Sequence, residues 1–242
     1  MNTTFIAMFI FTAVSFVNII AKYFIARDNN VAQLRMLMIA FISFVFISQF
    51  FLNYMATSQL CGKAQPKIAF LNTVIPWLFI FGSIVFLLEM FPGWKSPFSN
   101  TFGYLVVVLL GIKGVFQEMM PARHTNKMIE AIYNDKSMLI NEFTPSNFED
   151  MYAKSLRQGI FTPEATKHRS AFLNMVRLKD YVAEFIWYIL TGGLIIAISY
   201  NSMSSAKCFK DAETMKEEHR KWEAENNKEV KEEEPEKYII RD

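Results

Sequence analysis

The stretch FPGWKSPFSNTFGYL, residues 91–105, decides how this chain is laid out. Two prolines (Pro92, Pro97), two glycines (Gly93, Gly103) and the polar Lys95, Ser96, Ser99, Asn100 and Thr101 stand among bulky aromatics, between two apolar runs. The run behind it, 68–90 (IAFLNTVIPWLFIFGSIVFLLEM), matches the ~20 mainly apolar residues a helix needs to cross a bilayer's hydrocarbon core. The run ahead, 101–116 (TFGYLVVVLLGIKGVF), falls short of a comfortable span and carries Gly103, Gly111, Gly114 and Lys113. Trp94, Phe98, Phe102 and Tyr104 are residue types that settle at headgroup depth. Ser99 or Asn100 can cap a helix start. On that reading Phe91, Pro92, Gly93, Trp94, Pro97, Phe98 and Asn100 form an aromatic interfacial turn feeding a short, tilted helix. On a second reading the stretch and the run after it make a re-entrant hairpin, which needs surrounding protein to satisfy its backbone. The interfacial turn is the preferred expectation.

Three further segments have spanning length and composition: 4–25 (TFIAMFIFTAVSFVNIIAKYFI), 36–55 (MLMIAFISFVFISQFFLNYM) and 181–200 (YVAEFIWYILTGGLIIAISY). The first lacks the basic start and small-residue cleavage pattern of a signal peptide and is too long for its apolar region. The expected class is therefore an all-α, multi-span membrane protein with four or five crossings. Hydrophobic residues make up 52% of the 242 positions, and ionisable side chains become dense only beyond Gln117. The expected divisions are a membrane domain (1–117), a polar helical domain (118–180), a last span (181–200) and a charged tail (201–242).

Charge leaves the number of crossings open. Lys22, Arg27 and Arg35 flank the first loop, which the positive-inside rule makes cytoplasmic. Arg123, Lys127, Arg177 and Lys179 flank the later spans; four crossings put them inside, five put them outside. Two cysteines, Cys61 and Cys208, are too few for a disulfide framework or a metal-ligand set. With four crossings they share a side and can pair; with five they cannot. The net charge of +2 is too small to imply nucleic acid.

The polar portions carry helix signals. Residues 121–134 read as a helix with Met128, Ile129, Ile132 and Tyr133 on one side. In FTPSNFEDMYAKSLRQG, Thr144 and Pro145 suggest a start, with Ser146 and Glu149 as a capping box and Gly159 as the stop. FTPEATKHRSAF repeats the start at Thr162 and Pro163, and no breaker follows before Gly192, so this helix is expected to run on into the last span. The tail holds nine Lys and Arg against twelve Asp and Glu. It reads as a solvated helix from 207 to 237, with the acidic KEEEPEK at its end and a thin stripe of Met215, His219 and Trp222 available to a partner protein.

No hydrolase elbow, phosphate-binding glycine loop or zinc-ligand spacing occurs. His124, His168 and His219 are isolated in polar stretches, and no catalytic residue, cofactor or metal site is expected. Asn2 opens a formal glycosylation acceptor but lies too close to the first span for ready transfer. Polar residues within the spans are the remaining candidates, since intramembrane polarity is functional by default. Asn18 (with Ser15 and Lys22), Gln49 and Asn53, Asn72 (with Ser83 and a Pro76 kink), and Glu184 and Thr191 (with Tyr188 and Ser199) mark one face of each span. They read as interhelical hydrogen bonds; a channel or transporter would instead gather them around a hydrated path, with Glu184 or Lys113 handling the ion.

At FPGWKSPFSNTFGYLVVVLLG the chain resembles the small multi-span proteins of the internal membrane of large icosahedral DNA viruses. The resemblance covers mainly residues 91–111. It implies a virion membrane protein, a minor capsid component joining bilayer to capsid shell, with other membrane or capsid proteins as partners and no catalytic residues to carry over. The bottom-up expectation agrees in kind: a structural membrane protein without enzymatic function, whose segments 118–180 and 201–242 contact other proteins.

Overall fold

The computed structural model describes residues 3–28, 30–121, 127–206, 208 and 212–232. Asn2, Arg123, His124, Lys207 and residues 233–237 of KEEEPEK lie outside them, as does the side chain of Met128. The fold is all-α, and among the described residues there is no strand. Four helices are long and apolar enough to cross a membrane: α1 (Thr3–Arg27), α2 (Val31–Cys61), α3 (Pro66–Met90) and the helix that ends at Ser205. Between them lie α4 (Pro92–Leu109), α5 (Ile112–Met119), α6 (Lys127–Asn134), α7 (Ser137–Ile140), α8 (Phe148–Arg157) and the turn of 3-10 helix Pro163–His168 that leads into α9 (Arg169–Ser205). Residues up to Ser205 form one compact unit and those from Ala206 a second, which contains α10 (Ala212–Glu232).

The long helices run alternately up and down, as their end contacts show. At one end the Thr3 hydroxyl donates to Gln59 Oε1 (3.0 Å), and the Gln65 N–H donates to Thr57 Oγ1 (3.0 Å). Thr3, Ala56 and Met203 line one small crevice there. At the other end Lys22 meets Glu184 and the Arg177 guanidinium donates to the Ala26 carbonyl (2.7 Å). Thus α3 finishes and α9 begins at the same end, so everything between them starts and returns there.

Pro76 shows how tertiary packing completes the backbone. Proline has no N–H for the carbonyl four residues back, which here belongs to Asn72; the Ser199 hydroxyl donates to that carbonyl instead (2.7 Å). A π-helical turn, Trp77–Phe81, absorbs the irregularity. Its aromatic ends enter the bundle core, where Phe81 packs on Tyr188 (5.1 Å between centroids) and Phe41 stacks on the same ring (5.7 Å). Gly192 lets α1 close in: a Cβ there would lie 2.1 Å from the Phe11 ring.

Residues 92–105 are helical. Phe91 is the single non-helical residue before Pro92–Lys95, a turn of 3-10 helix that grades into the rest of α4. Along α9 its contacts step from Trp187 (to the Trp94 carbonyl, 2.9 Å) through Asp180 (from Ser99) to Lys179, whose carbonyl lies 2.4 Å from where a Gly103 Cβ would be. Val107 then joins a core with Val176. Only the stretch of α9 from 176 to 187 is covered, about 16 Å at 1.5 Å per residue, against a hydrocarbon core of ~30 Å. α4 keeps the direction of α3 and moves away from the bundle. At Gly111, with φ of 92°, the chain bends by 87° into α5. Counting that bent pair as one span gives five candidates by composition; the alternation of ends gives four.

The polar residues are not a separate body. One core unites Val107, Ile112 and Phe116 of α4 and α5 with Phe143, Phe148 and Phe161 and with Phe172 and Val176 of α9. Phe172 is edge-on to Phe143 at 4.8 Å. Ile129 and Ile132 are buried as their spacing predicts. The helix expected to start at Thr144 begins at Phe148. Asn147 explains the delay: its Oδ1 accepts the Thr144 N–H (2.8 Å) and its amide donates to the Glu142 carbonyl (2.9 Å), holding 142–147 as a turn. Gly159, at φ of 68°, closes the helix.

Cys61 and Cys208 are each disulfide-bonded. In sealed vesicles, a membrane-impermeant thiol reagent should label cysteines introduced at Ser137 or Ser146 from one face and at Lys63 from the opposite face; labelling of all three from one side would contradict the alternation. Gly192→Val should lower stability in detergent by ~1–3 kcal/mol through overpacking. Gly114→Ala, whose added Cβ meets nothing within 4 Å, should leave the thermal midpoint in place.

Candidate functional site: a buried charged layer

The densest chemistry in the described residues lies where α1, α4 and α9 meet. Lys179 (1% exposed), Asp180 (5%) and Glu184 (3%) are buried on α9. A charge withdrawn from water costs several kcal/mol unless it is paired and hydrogen-bonded, and here each has partners. Glu184 Oε1 takes the Lys22 ammonium at 2.5 Å and the Tyr188 hydroxyl at 2.6 Å. Asp180 accepts from the Ser99 hydroxyl at 3.0 Å. The Lys179 ammonium turns the other way, donating to Asn100 Oδ1 and to the Ile140 carbonyl, both at 3.1 Å. Lys95 stands between the two carboxylates, 3.9 Å from each. Lys22 also faces the Tyr181 ring, 5.4 Å from its centroid.

The layer is a clamp in chemical terms. It holds α1 and α4 to α9 by opposite charges in a poorly hydrated setting. It offers no nucleophile beside a base, and among the described residues no group of three or more His, Cys, Asp or Glu is placed to hold a metal ion. Of the residues expected to form the interfacial turn, Asn100 enters this network directly. Trp94 enters the fold through its carbonyl, and the Phe98 ring sits edge-on to Trp187 at 5.2 Å. Pro92 borders a cavity beside Lys95, and Phe91, Gly93 and Pro97 are exposed.

The intramembrane polar residues are mostly partnered between helices. Gln49 donates to the Ala7 carbonyl (3.2 Å), and Asn53 donates to Thr73 Oγ1 (2.8 Å). Asn72 contributes its carbonyl to Ser199 while its amide bonds back to Ile68. Thr191 is buried beside Gly192. Asn18 differs: it and Ser15 are buried one and two turns below Lys22, and neither side chain has a hydrogen-bond partner among the described residues. Lys113, the other candidate ion-handling group, is exposed on α5 beyond the bend. In the tail unit, Met215 and Trp222 are exposed (53% and 59%), with the His219 ring stacked on Trp222.

Reading the chain segment by segment singled out Glu184 but missed that Lys95, Ser99, Lys179 and Asp180 join it. The available signal was the spacing of Asp180 and Glu184, four apart on one helix face. Its partners are 81 to 162 residues away and carry no local mark.

Removing one member of the Lys22–Glu184 pair strands a buried charge, which costs ~3–5 kcal/mol. Lys22→Met and Glu184→Gln should each lower the unfolding midpoint in detergent, and the double variant should lose less than the sum of the two. Strict additivity in that cycle would show the pair to be uncoupled.

No protein-family model, curated protein or solved structure matches this chain.

Proposed function

We propose that this chain is a structural integral membrane protein that ties a bilayer to other proteins. The observation that supports it most is mechanical. α9 runs as one 37-residue helix from the aromatic core of the polar region, at Phe172 and Val176, into the bundle core at Ile195. A load on the polar region is therefore carried into the membrane helices without a flexible joint. The intramembrane polar groups favour the same reading, because the Gln49, Asn53 and Ser199 side chains spend hydrogen bonds on neighbouring helices. The bundle end bearing Lys22, Arg27, Arg35 and Arg177 is the cytoplasmic one by the positive-inside rule. Cys61, disulfide-bonded at the opposite end of α2, fits an oxidising compartment there. In the virion setting that the resemblance of residues 91–111 implies, the bilayer is an internal viral membrane and the bound protein a capsid component.

A second reading, passage of an ion or small solute, draws on one observation: the unpartnered Ser15 and Asn18 beneath the Lys22–Glu184 pair. Cross-linking mass spectrometry on intact membranes carrying the protein separates the two. The structural role predicts links from 118–180 and 201–242 to other proteins, and no flux in proteoliposomes. Flux that disappears in Glu184→Gln or Asn18→Leu, with no such links, would replace the first reading by the second.

A further inference from the structure

We propose that the cavity beside Lys95 is a binding site for a phosphate-bearing lipid headgroup. The cavity, about 170 Å³, lies between Lys95, Arg177, Asp180 and Tyr181 on the bundle side and Ser146 on the turn of the polar region. One water needs ~10–15 Å³ of such space, so the cavity has room for a phosphate and a small substituent.

The central observation is Lys95. Its side chain is 17% exposed, yet its nearest carboxylate oxygens, on Asp180 and Glu184, stand at 3.9 Å. An ammonium has three donors, and among the described residues none of the three is within hydrogen-bonding distance of an acceptor. Both carboxylates are already served at shorter range: Glu184 by Lys22 and Tyr188, Asp180 by Ser99. Lys95 is thus held by field alone, on the wall of the cavity. Arg177, whose guanidinium also donates to the Ala26 carbonyl, adds a second cation to the wall. Ser146 and Tyr181 bring hydroxyl-bearing side chains to the same wall. Asp180, the one acid there, suits a hydroxyl or ammonium carried beyond the phosphate.

Position points to lipid as the source. The cavity lies where the bundle gives way to the polar region, and Trp94, the chain neighbour of Lys95, pairs its ring with Trp187. Such aromatics mark the headgroup layer, and basic pockets between helices on the cytoplasmic side receive anionic headgroups.

The test uses the full chain purified in a neutral detergent. Phosphatidylglycerol, diacylglycerol with the same acyl chains and inorganic phosphate are each titrated, with native mass spectrometry and the thermal midpoint as readouts. The expected result is retained phosphatidylglycerol adducts and a raised midpoint, neither produced by diacylglycerol. Lys95→Met should weaken that binding about tenfold, as loss of a charge-assisted hydrogen bond does, and Lys95→Arg should restore most of it. Inorganic phosphate that displaces the lipid from wild type would show the same groups accepting a soluble phosphate. Should Lys95→Met fail to fold, Ser146→Ala, at an exposed position, makes the same comparison with a smaller loss. Equal binding of phosphatidylglycerol and diacylglycerol, or wild-type binding by both variants, would overturn the assignment.

Discussion

A carboxylate buried in a membrane bundle has to be answered, and the answer given to Glu184 organises this protein. Lys22 arrives from α1 at 2.5 Å and Tyr188 from one turn further along α9. Because α1 must deliver its ammonium at that level, the register of α1 against α9 follows. Phe11 then falls opposite Gly192, where only a glycine leaves room for the ring. With that contact made, Phe41, Trp77 and Phe81 close around Tyr188 as one aromatic core. The polar pair and the apolar core thus specify the same alignment, and each would be strained in any other.

The same layer explains why residues 92–109 lie along the start of α9. Ser99 and Asn100 are held by Asp180 and Lys179, and Gly103 lets the backbone of α4 touch that of α9. These contacts pin α4 to the membrane-edge part of α9. Lys179 then reaches the Ile140 carbonyl, so the polar region is fastened to the layer by a buried hydrogen bond as well as by its aromatic core. Charges at the bundle's end thus fasten together two cores, the aromatic packing of the polar region and the packing of the bundle, along a single helix.

Much of the architecture was legible in the residues themselves. Apolar runs of bilayer length marked α1, α2, α3 and the later part of α9, because a helix in lipid satisfies its own backbone and needs only apolar side chains outside. Thr162 and Pro163 marked the beginning of the long helix, and Gly159 the end of α8, for reasons of local backbone geometry. Local signals failed at Thr144, where the Asn147 side chain completes a turn that competes with the capping box. They also failed at 91–105: proline, glycine and mixed polarity are equally compatible with a turn, a hairpin or the jogged helix observed.

What the amino-acid sequence determined alone was the class: helices, their approximate limits and a division between lipid-facing and water-facing residues, all of which depend on neighbours a few positions away. Tertiary structure alone decided the path of residues 92–119, the meeting of Lys22, Lys95, Asp180 and Glu184, and the cavity that Lys95 faces. Those depend on which helices lie side by side. A buried charge advertises that it needs a partner, but not from which distant turn of the chain the partner will come.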